Sequence, residues 1–393
     1  MTLPEIEKAS SSIRPYISGT PLLFSNFLSR TFGAEVWLKC ENLQKTGSFK
    51  VRGSFNKILR SGAAKVTAAS MGNHAQGVAY AAATLGVKAR IIMPETVSAV
   101  KEEATRHYGA EVVLHGKTLS EAVDFAKRQR GYAFIHPFDD EDVIAGQGTA
   151  GLEIAHELER PDAVLVPVGG GGLISGIAVA VKGLSPKTKI IGVQSDAALS
   201  ALESFRAGRI VKRKPSASYA LADGILVGCV GNKTFRIMRE HVDAMASVPD
   251  DSIADAVFLL MERKKLVAEG AGAAPLSFLM REPKRFRGKR IVLVVSGGNI
   301  DFSLVDRVVR RALISGGRVN SFRVVIDDLP GSLNRLTGII ARNRANILNV
   351  VHERNPQGYP LHKTAVEFTI ETKNRKHFEI ILADIKKEGV LQC

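Results

Sequence analysis

The chain has 393 residues, 45% of them hydrophobic and 24% charged, an ordinary globular mixture with room for about two or three domains. It has no run of about twenty apolar residues to span a membrane. The start, Met1-Thr2-Leu3-Pro4-Glu5-Ile6-Glu7-Lys8, lacks the apolar core of a secretion signal. The formal charge of +15 raises nucleic-acid binding, but Lys212-Arg213-Lys214, Arg263-Lys264-Lys265 and Arg285-Phe286-Arg287-Gly288-Lys289-Arg290 carry no stacking-aromatic pattern or recognition motif. A phosphate-bearing ligand would profit from such a charge. The three cysteines, Cys40, Cys229 and Cys393, have no metal-ligand spacing and read as free thiols of a reducing compartment, the cytoplasm by default.

In chain order, an N-terminal helix and a loop at residues 17–22 come first. Strand-length apolar runs then recur at residues 34–38, 89–93, 111–114, 133–135, 164–168, 190–193 and 291–295. Helix-period stretches lie between them, among them residues 73–85 and 150–158. Alternation of this kind predicts an α/β fold of parallel sheets covered by helices. Ligands of such folds bind beyond the carboxyl ends of the strands.

The first loop of interest, Thr46-Gly47-Ser48-Phe49-Lys50-Val51-Arg52-Gly53, follows the run at 34–38 and a polar turn. Ser48 reads as the N-cap of a helix over residues 49–60, which puts Lys50 in the first turn. There the helix dipole disfavours a cation. Together with partial burial it lowers the lysine pKa and frees the amine to form an imine. An isolated lysine near a helix start is usually just a solvated one, and it is the loops further on that change the reading.

Ser70-Met71-Gly72-Asn73-His74-Ala75-Gln76-Gly77 opens a helix and offers backbone N–H groups to a carboxylate, with Asn73 also a simple capping candidate. Gly169-Gly170-Gly171-Gly172 joins a strand to the helix at 173–182, the placement of a phosphate cup, although it lacks both the P-loop ending and the dinucleotide spacing. Ser296-Gly297-Gly298-Asn299 follows the most apolar strand and offers the Ser296 hydroxyl to the cleft. An imine-forming lysine, a phosphate cup, an anion loop and a strand-end serine together point to pyridoxal phosphate.

The segments at Ser48-Phe49-Lys50-Val51-Arg52-Gly53, Gly72-Asn73-His74-Ala75-Gln76-Gly77, Gly169-Gly170-Gly171-Gly172 and Ser296-Gly297-Gly298-Asn299 closely resemble the serine/threonine dehydratase family. These are pyridoxal-phosphate enzymes of the tryptophan-synthase β-like fold. The resemblance covers residues 1–315 and implies two parallel-sheet subdomains, the smaller inserted at 45–150. It implies that Lys50 carries the cofactor, Phe49 packs beside the ring, Asn73 bonds the ring hydroxyl, and Gly169, Gly170, Gly171 and Gly172 hold the phosphate. Ser296 would meet the pyridine nitrogen, with Gly224 and Glu269 by the ring. The backbone at Ser70, Gly72, Asn73 and His74 would hold the substrate carboxylate. The implied reaction is β-elimination, in which Lys50 takes the Cα proton and L-threonine or L-serine gives 2-oxobutanoate or pyruvate plus ammonia.

Two departures narrow the choice within the family. Its racemase branch has a proton-donating serine where this chain has Met71, and acidic cation ligands where it has Gln194 and Ser200, so neither racemisation nor a metal site is expected. The other readings are a serine-preferring dehydratase or racemase, and a pyridoxal-phosphate-binding amino-acid sensor without turnover. The intact Lys50, Asn73, glycine loop and Ser296 argue against the sensor.

From residue 321 the texture changes. Strands at 322–326, 346–352 and 364–371, helices ending near 343 and spanning 376–387, and a short last strand around Val390-Leu391-Gln392 predict a small α+β domain. It resembles an ACT domain, a ferredoxin-like regulatory module that binds amino acids. The division expected is a catalytic domain at 1–315, a linker at 316–320 and a regulatory domain at 321–393. The resemblance implies an effector such as isoleucine or valine, bound near Leu329, Gly331, Ser332, Leu333, Asn346, Ile347, Leu348 and Asn349 between paired copies, and hence a homodimer or homotetramer. A dimerisation element that binds nothing is the plainer alternative.

Overall fold

The structure, a computed structural model, describes residues 1–216, 220–354, 357–388 and 391–392. The chain divides into two compact units, Met1–Ile300 and Asp301–Cys393. Strands of the first unit are β1 (Leu22–Phe24), β2 (Glu35–Cys40), β3 (Lys65–Ala69), β4 (Lys88–Met93), β5 (Glu111–Leu114), β6 (Ala133–Phe134), β7 (Ala163–Pro167), β8 (Lys189–Ser195), β9 (Ala244–Val248) and β10 (Arg290–Val295). A six-stranded sheet has the order β1-β2-β10-β7-β8-β9, and a four-stranded sheet the order β5-β4-β3-β6. All pairings are parallel except that of β1 with β2. Strands β7 and β10 read as unbroken apolar runs because helices cover both faces of the sheet.

Three strands were not anticipated. Strand β1 is only three residues long, and β3 and β9 are rich in alanine, a helix former that period alone does not assign to a strand. The helix expected at 150–158 is the end of a longer one, Glu141–Glu157. Gly146, Gly148 and Gly151 disguise its first half, since glycine weakens any local helix signal. They are there for close packing. A Cβ on Gly146 would meet the Arg52 carbonyl oxygen at 2.5 Å, and one on Gly176 the Gly148 nitrogen at 2.5 Å. The helices Lys50–Ser61 and Gly172–Leu184 thus lie against Glu141–Glu157 almost backbone to backbone.

The second unit comprises helix Phe302–Ser315, β11 (Val319–Asp327), helix Ser332–Arg342, β12 (Asn346–Glu353), β13 (Lys363–Glu371), helix Arg375–Lys387 and β14 (Leu391–Gln392). Its antiparallel sheet has the order β12-β13-β11-β14. One face packs Phe322, Val324, Val366 and Phe368 against Leu336, Ile340 and Ile381 of the helices. Helix Phe302–Ser315, counted with the catalytic domain in the sequence reading, belongs to this compact unit. Val390 and Cys393 lie outside the described residues.

Candidate active site

Strand β2 ends in a 3-10 turn, Glu41–Leu43, and the chain then enters helix Lys50–Ser61. The N-cap is Phe49, not Ser48 as expected from residue preference. Ser48 instead forms an isolated bridge with Gly297, and its fully buried hydroxyl has no partner among the described residues. The Phe49 N–H donates to the Ser296 carbonyl at 3.1 Å, and the Gly298 N–H to the Gly47 carbonyl at 2.8 Å. The lysine loop is thereby sewn to the loop after β10. Tertiary pairing has overridden the local capping preference.

Lys50 is the first helical residue. Its Nζ donates to the Pro137 carbonyl at 2.9 Å and stands 5.2 Å from the Phe49 ring centroid. Burial pulls the amine down to about 8, with Glu269 acting the other way.

Asn73 opens helix Asn73–Thr84 but does not cap it, since the cap is Gly72. Its Nδ2 donates to both Glu269 carboxylate oxygens at 2.9 Å, and its Oδ1 accepts from Asn299 Nδ2 at 2.7 Å. Asn299 Nδ2 also donates to the Thr46 carbonyl at 2.8 Å, tying three loops together. Burial pushes Glu269 up to about 7, opposed by the Asn73 hydrogen bond and reinforced by Asp223. Gly224 borders this carboxylate, since a Cβ there would lie 3.4 Å from Glu269 Oε1.

The anion loop is only partly available. The Ser70 N–H donates to the Ile92 carbonyl and the Gly72 N–H to Ser70 Oγ, both at 3.2 Å. These two groups, expected to face a carboxylate, are therefore engaged inside the protein. Asn73 and His74 keep first-turn positions. The His74 ring is buried against the Ile135 carbonyl at 2.9 Å, and burial, with Lys50 nearby, pulls it down to about 3. The shift favours the neutral ring near neutral pH. Met71 lies in the same loop. Gln194 Oε1 accepts from the Leu202 N–H, and Ser200 Oγ donates to the Val227 carbonyl. The Gln194 oxygen and the Ser200 hydroxyl are thus engaged by backbone groups, while Gln194 Nε2 has no partner among the described residues.

Residues 169–172 join β7 to helix Gly172–Leu184, with Gly171 at φ 93°, which strains any other residue. A Cβ on Gly170 would fall 2.4 Å from the Phe138 ring. The Gly170 carbonyl accepts from Thr234 Oγ1 at 2.8 Å, which holds the loop from behind. Thr234 is fixed in turn by Asp139, whose carboxylate accepts from the N–H groups of Asn232, Lys233 and Thr234. Among the described residues, the N–H groups of 169–172 meet no backbone acceptor outside the regular elements. A shaped glycine cradle at a helix N-terminus, with a lysine of lowered pKa nearby, fits a phosphate-bearing aldehyde.

Ser296, buried, follows β10 directly. Asp139, Thr234 and Asn299 were missed as supports of the site. Only Asn299 carried a sequence signal, as the end of the Ser296 motif.

Arg52 was also missed. Its guanidinium is fully buried and forms paired bonds to Glu41 (2.7 and 2.8 Å) and to Glu153 (2.7 and 2.8 Å). Burial works against its charge, but the two carboxylates outweigh it and raise its pKa. Lys39 joins Glu153 at 2.7 Å. The start of the Lys50 helix is thereby locked to the end of β2 and to helix Glu141–Glu157.

In the second unit Leu329 is exposed, Gly331 caps helix Ser332–Arg342, Ser332 is buried and Leu333 is partly packed into the core. Asn346, Ile347, Leu348 and Asn349 open the edge strand β12, where a bulge leaves Leu348 out of register. Asp327 pairs with Lys363, whereas Asn346 pairs with Glu371 at the other end of β13. The two halves of the expected effector site therefore lie at opposite ends of one sheet and are not brought together within a single copy.

Comparison with known proteins adds to this geometry. The family "Pyridoxal-phosphate dependent enzyme" matches residues 13–297. An L-threonine ammonia-lyase of Thermotoga maritima is 43% identical over 390 residues, 97% of this chain and 96% of that protein. One from Geobacter sulfurreducens is 44% identical over 393 residues, covering 98% and 97%. A crystal structure of a threonine deaminase from T.th. superposes with a TM-score of 0.73 at 46% identity, covering 77% of this chain and 99% of that one.

Proposed function

The chain belongs to the pyridoxal-phosphate-dependent enzymes, and from that premise we propose that it is an ammonia-lyase acting on L-threonine, and on L-serine in the same way. Loss of the Cα proton and the Cβ hydroxyl as water, followed by hydrolysis of the C–N bond, gives 2-oxobutanoate or pyruvate and ammonia. When bound, the cofactor supplies a sink for the electron pair left on Cα.

The rest of the work falls to this chain's side chains and backbone. Lys50 would hold the cofactor aldehyde and serve as the base at Cα, a role suited to an amine lowered to about 8. The cradle at residues 169–172 would hold the phosphate, and Phe49 and Gly224 would border the ring. The Asn73 amide, held between Glu269 and Asn299, would meet the ring hydroxyl. Ser296, buried at the end of β10, would offer the pyridine nitrogen a neutral hydroxyl. A neutral partner there would make the ring a shallower sink than a carboxylate partner would, which favours loss of the hydroxyl over transamination. The N–H groups of Asn73 and His74 take the substrate carboxylate, and neutral His74 adds no charge of its own.

The observation that carries the reading is Lys50, a part-buried amine at a helix start, beside the glycine cradle of a chain so similar over its whole length to two L-threonine ammonia-lyases. The second unit is read as an effector module for an amino acid such as isoleucine or valine. The separation of its two candidate halves supports a site completed by a second copy, hence a homodimer or homotetramer. The deciding assay is 2-oxo acid and ammonia release from L-threonine and L-serine. Stoichiometric release supports the proposal, and cofactor binding with no 2-oxo acid from either substrate removes it.

A further inference from the structure

Gln147 lies in the middle of helix Glu141–Glu157 and is fully buried. Neither its Nε2 nor its Oε1 has a hydrogen-bond partner among the described residues. Protein interiors seldom leave a primary amide so, because its hydration is lost and nothing replaces it. The amide is not stranded in an apolar core. A Cβ built on Gly172 would stand 2.5 Å from Gln147 Oε1, and one on Gly53 would stand 3.2 Å from its Cγ. The side chain thus sits between the last glycine of the cradle and the first turns of the Lys50 helix.

We propose that Gln147 is a side-chain ligand of the cofactor phosphate, completing the backbone cradle of residues 169–172. The chemistry matches. A phosphate at a helix N-terminus needs donors, and Nε2 offers two N–H groups without bringing a charge that would have to be buried. The two ends of the amide are nearly isosteric, so a half-turn about its last bond brings Nε2 to Gly172 without disturbing the packing. The close approach of Gly172 also gains a reason, since a side chain there would press on the amide oxygen. The inference rests on reading residues 169–172 as the phosphate cup, and its test separates the two.

Cofactor-free full-length protein would be titrated with pyridoxal phosphate and with pyridoxal, which has the aldehyde but no phosphate. Wild type, Gln147→Met and Gln147→Glu would be compared, with melting temperatures of the cofactor-free forms measured alongside. Gln147→Met is expected to weaken pyridoxal phosphate by about tenfold, the worth of one good hydrogen bond to a charged group, while pyridoxal affinity holds. Its cofactor-free melting temperature should stay level or rise, because an unpartnered buried amide is gone. Gln147→Glu should weaken the phosphorylated ligand further at neutral pH by repulsion. Unchanged pyridoxal phosphate affinity in the folded variants, or an equal loss for both ligands, would assign Gln147 a packing role and overturn the proposal. A wild type that binds the two ligands equally well would instead remove the phosphate cup, and Gln147's role with it.

Discussion

Two groups at the site owe their character to burial. Lys50 can attack an aldehyde only when unprotonated, and desolvation brings it from 10.5 to about 8. Below that pH the neutral fraction, and so the rate at which cofactor-free protein captures pyridoxal phosphate, should rise about tenfold per pH unit. Above about 8 it should level off. A rise continuing to the ordinary lysine range would mean that the amine is solvated. Glu269 is shifted the other way, up to about 7, so it is protonated on the acid side of neutrality and ionised on the alkaline side. The wild-type kcat/KM profile should therefore carry a step near pH 7 that the Glu269→Gln variant lacks. If both proteins show the step, some other group titrates there.

At the level of elements, the buried charges around Arg52 decide how firmly the Lys50 helix is placed. Arg52→Met leaves Glu41 buried without its partner, which should cost about 3–5 kcal/mol. Denaturant unfolding followed at Trp37, the only tryptophan, would measure it. A second substitution, Glu41→Gln, should add much less than its own single effect, since the two sites are coupled. This cluster shows what the sequence did and did not disclose. The parallel α/β pattern, the lysine loop, the glycine cradle and the strand-end serine were all readable because each is contiguous and bounded by apolar periodicity. The contact of Arg52 with Glu153 joins residues far apart in the chain, and no local pattern encodes it. Ser48 looked like a cap and was claimed by Gly297 instead. The glycines of helix Glu141–Glu157 weakened the helix signal at the positions where close packing needed them.

On the scale of the whole molecule, the proposed division of labour gives the second unit an amino-acid effector. Isoleucine or valine should raise the melting temperature of the full-length protein, as any ligand of the native state does. Asn349→Ala should move the half-effective concentration upward by roughly tenfold, the worth of one polar contact. No response to either amino acid, with elimination intact, would leave the unit as an assembly element. The proposed chemistry turns on one covalent attachment. Borohydride reduction of the cofactor-loaded protein, followed by proteolysis and mass spectrometry, should place the pyridoxyl group on Lys50 and nowhere else. A pyridoxyl group on another of the lysines, with Lys50 unmodified, would contradict it.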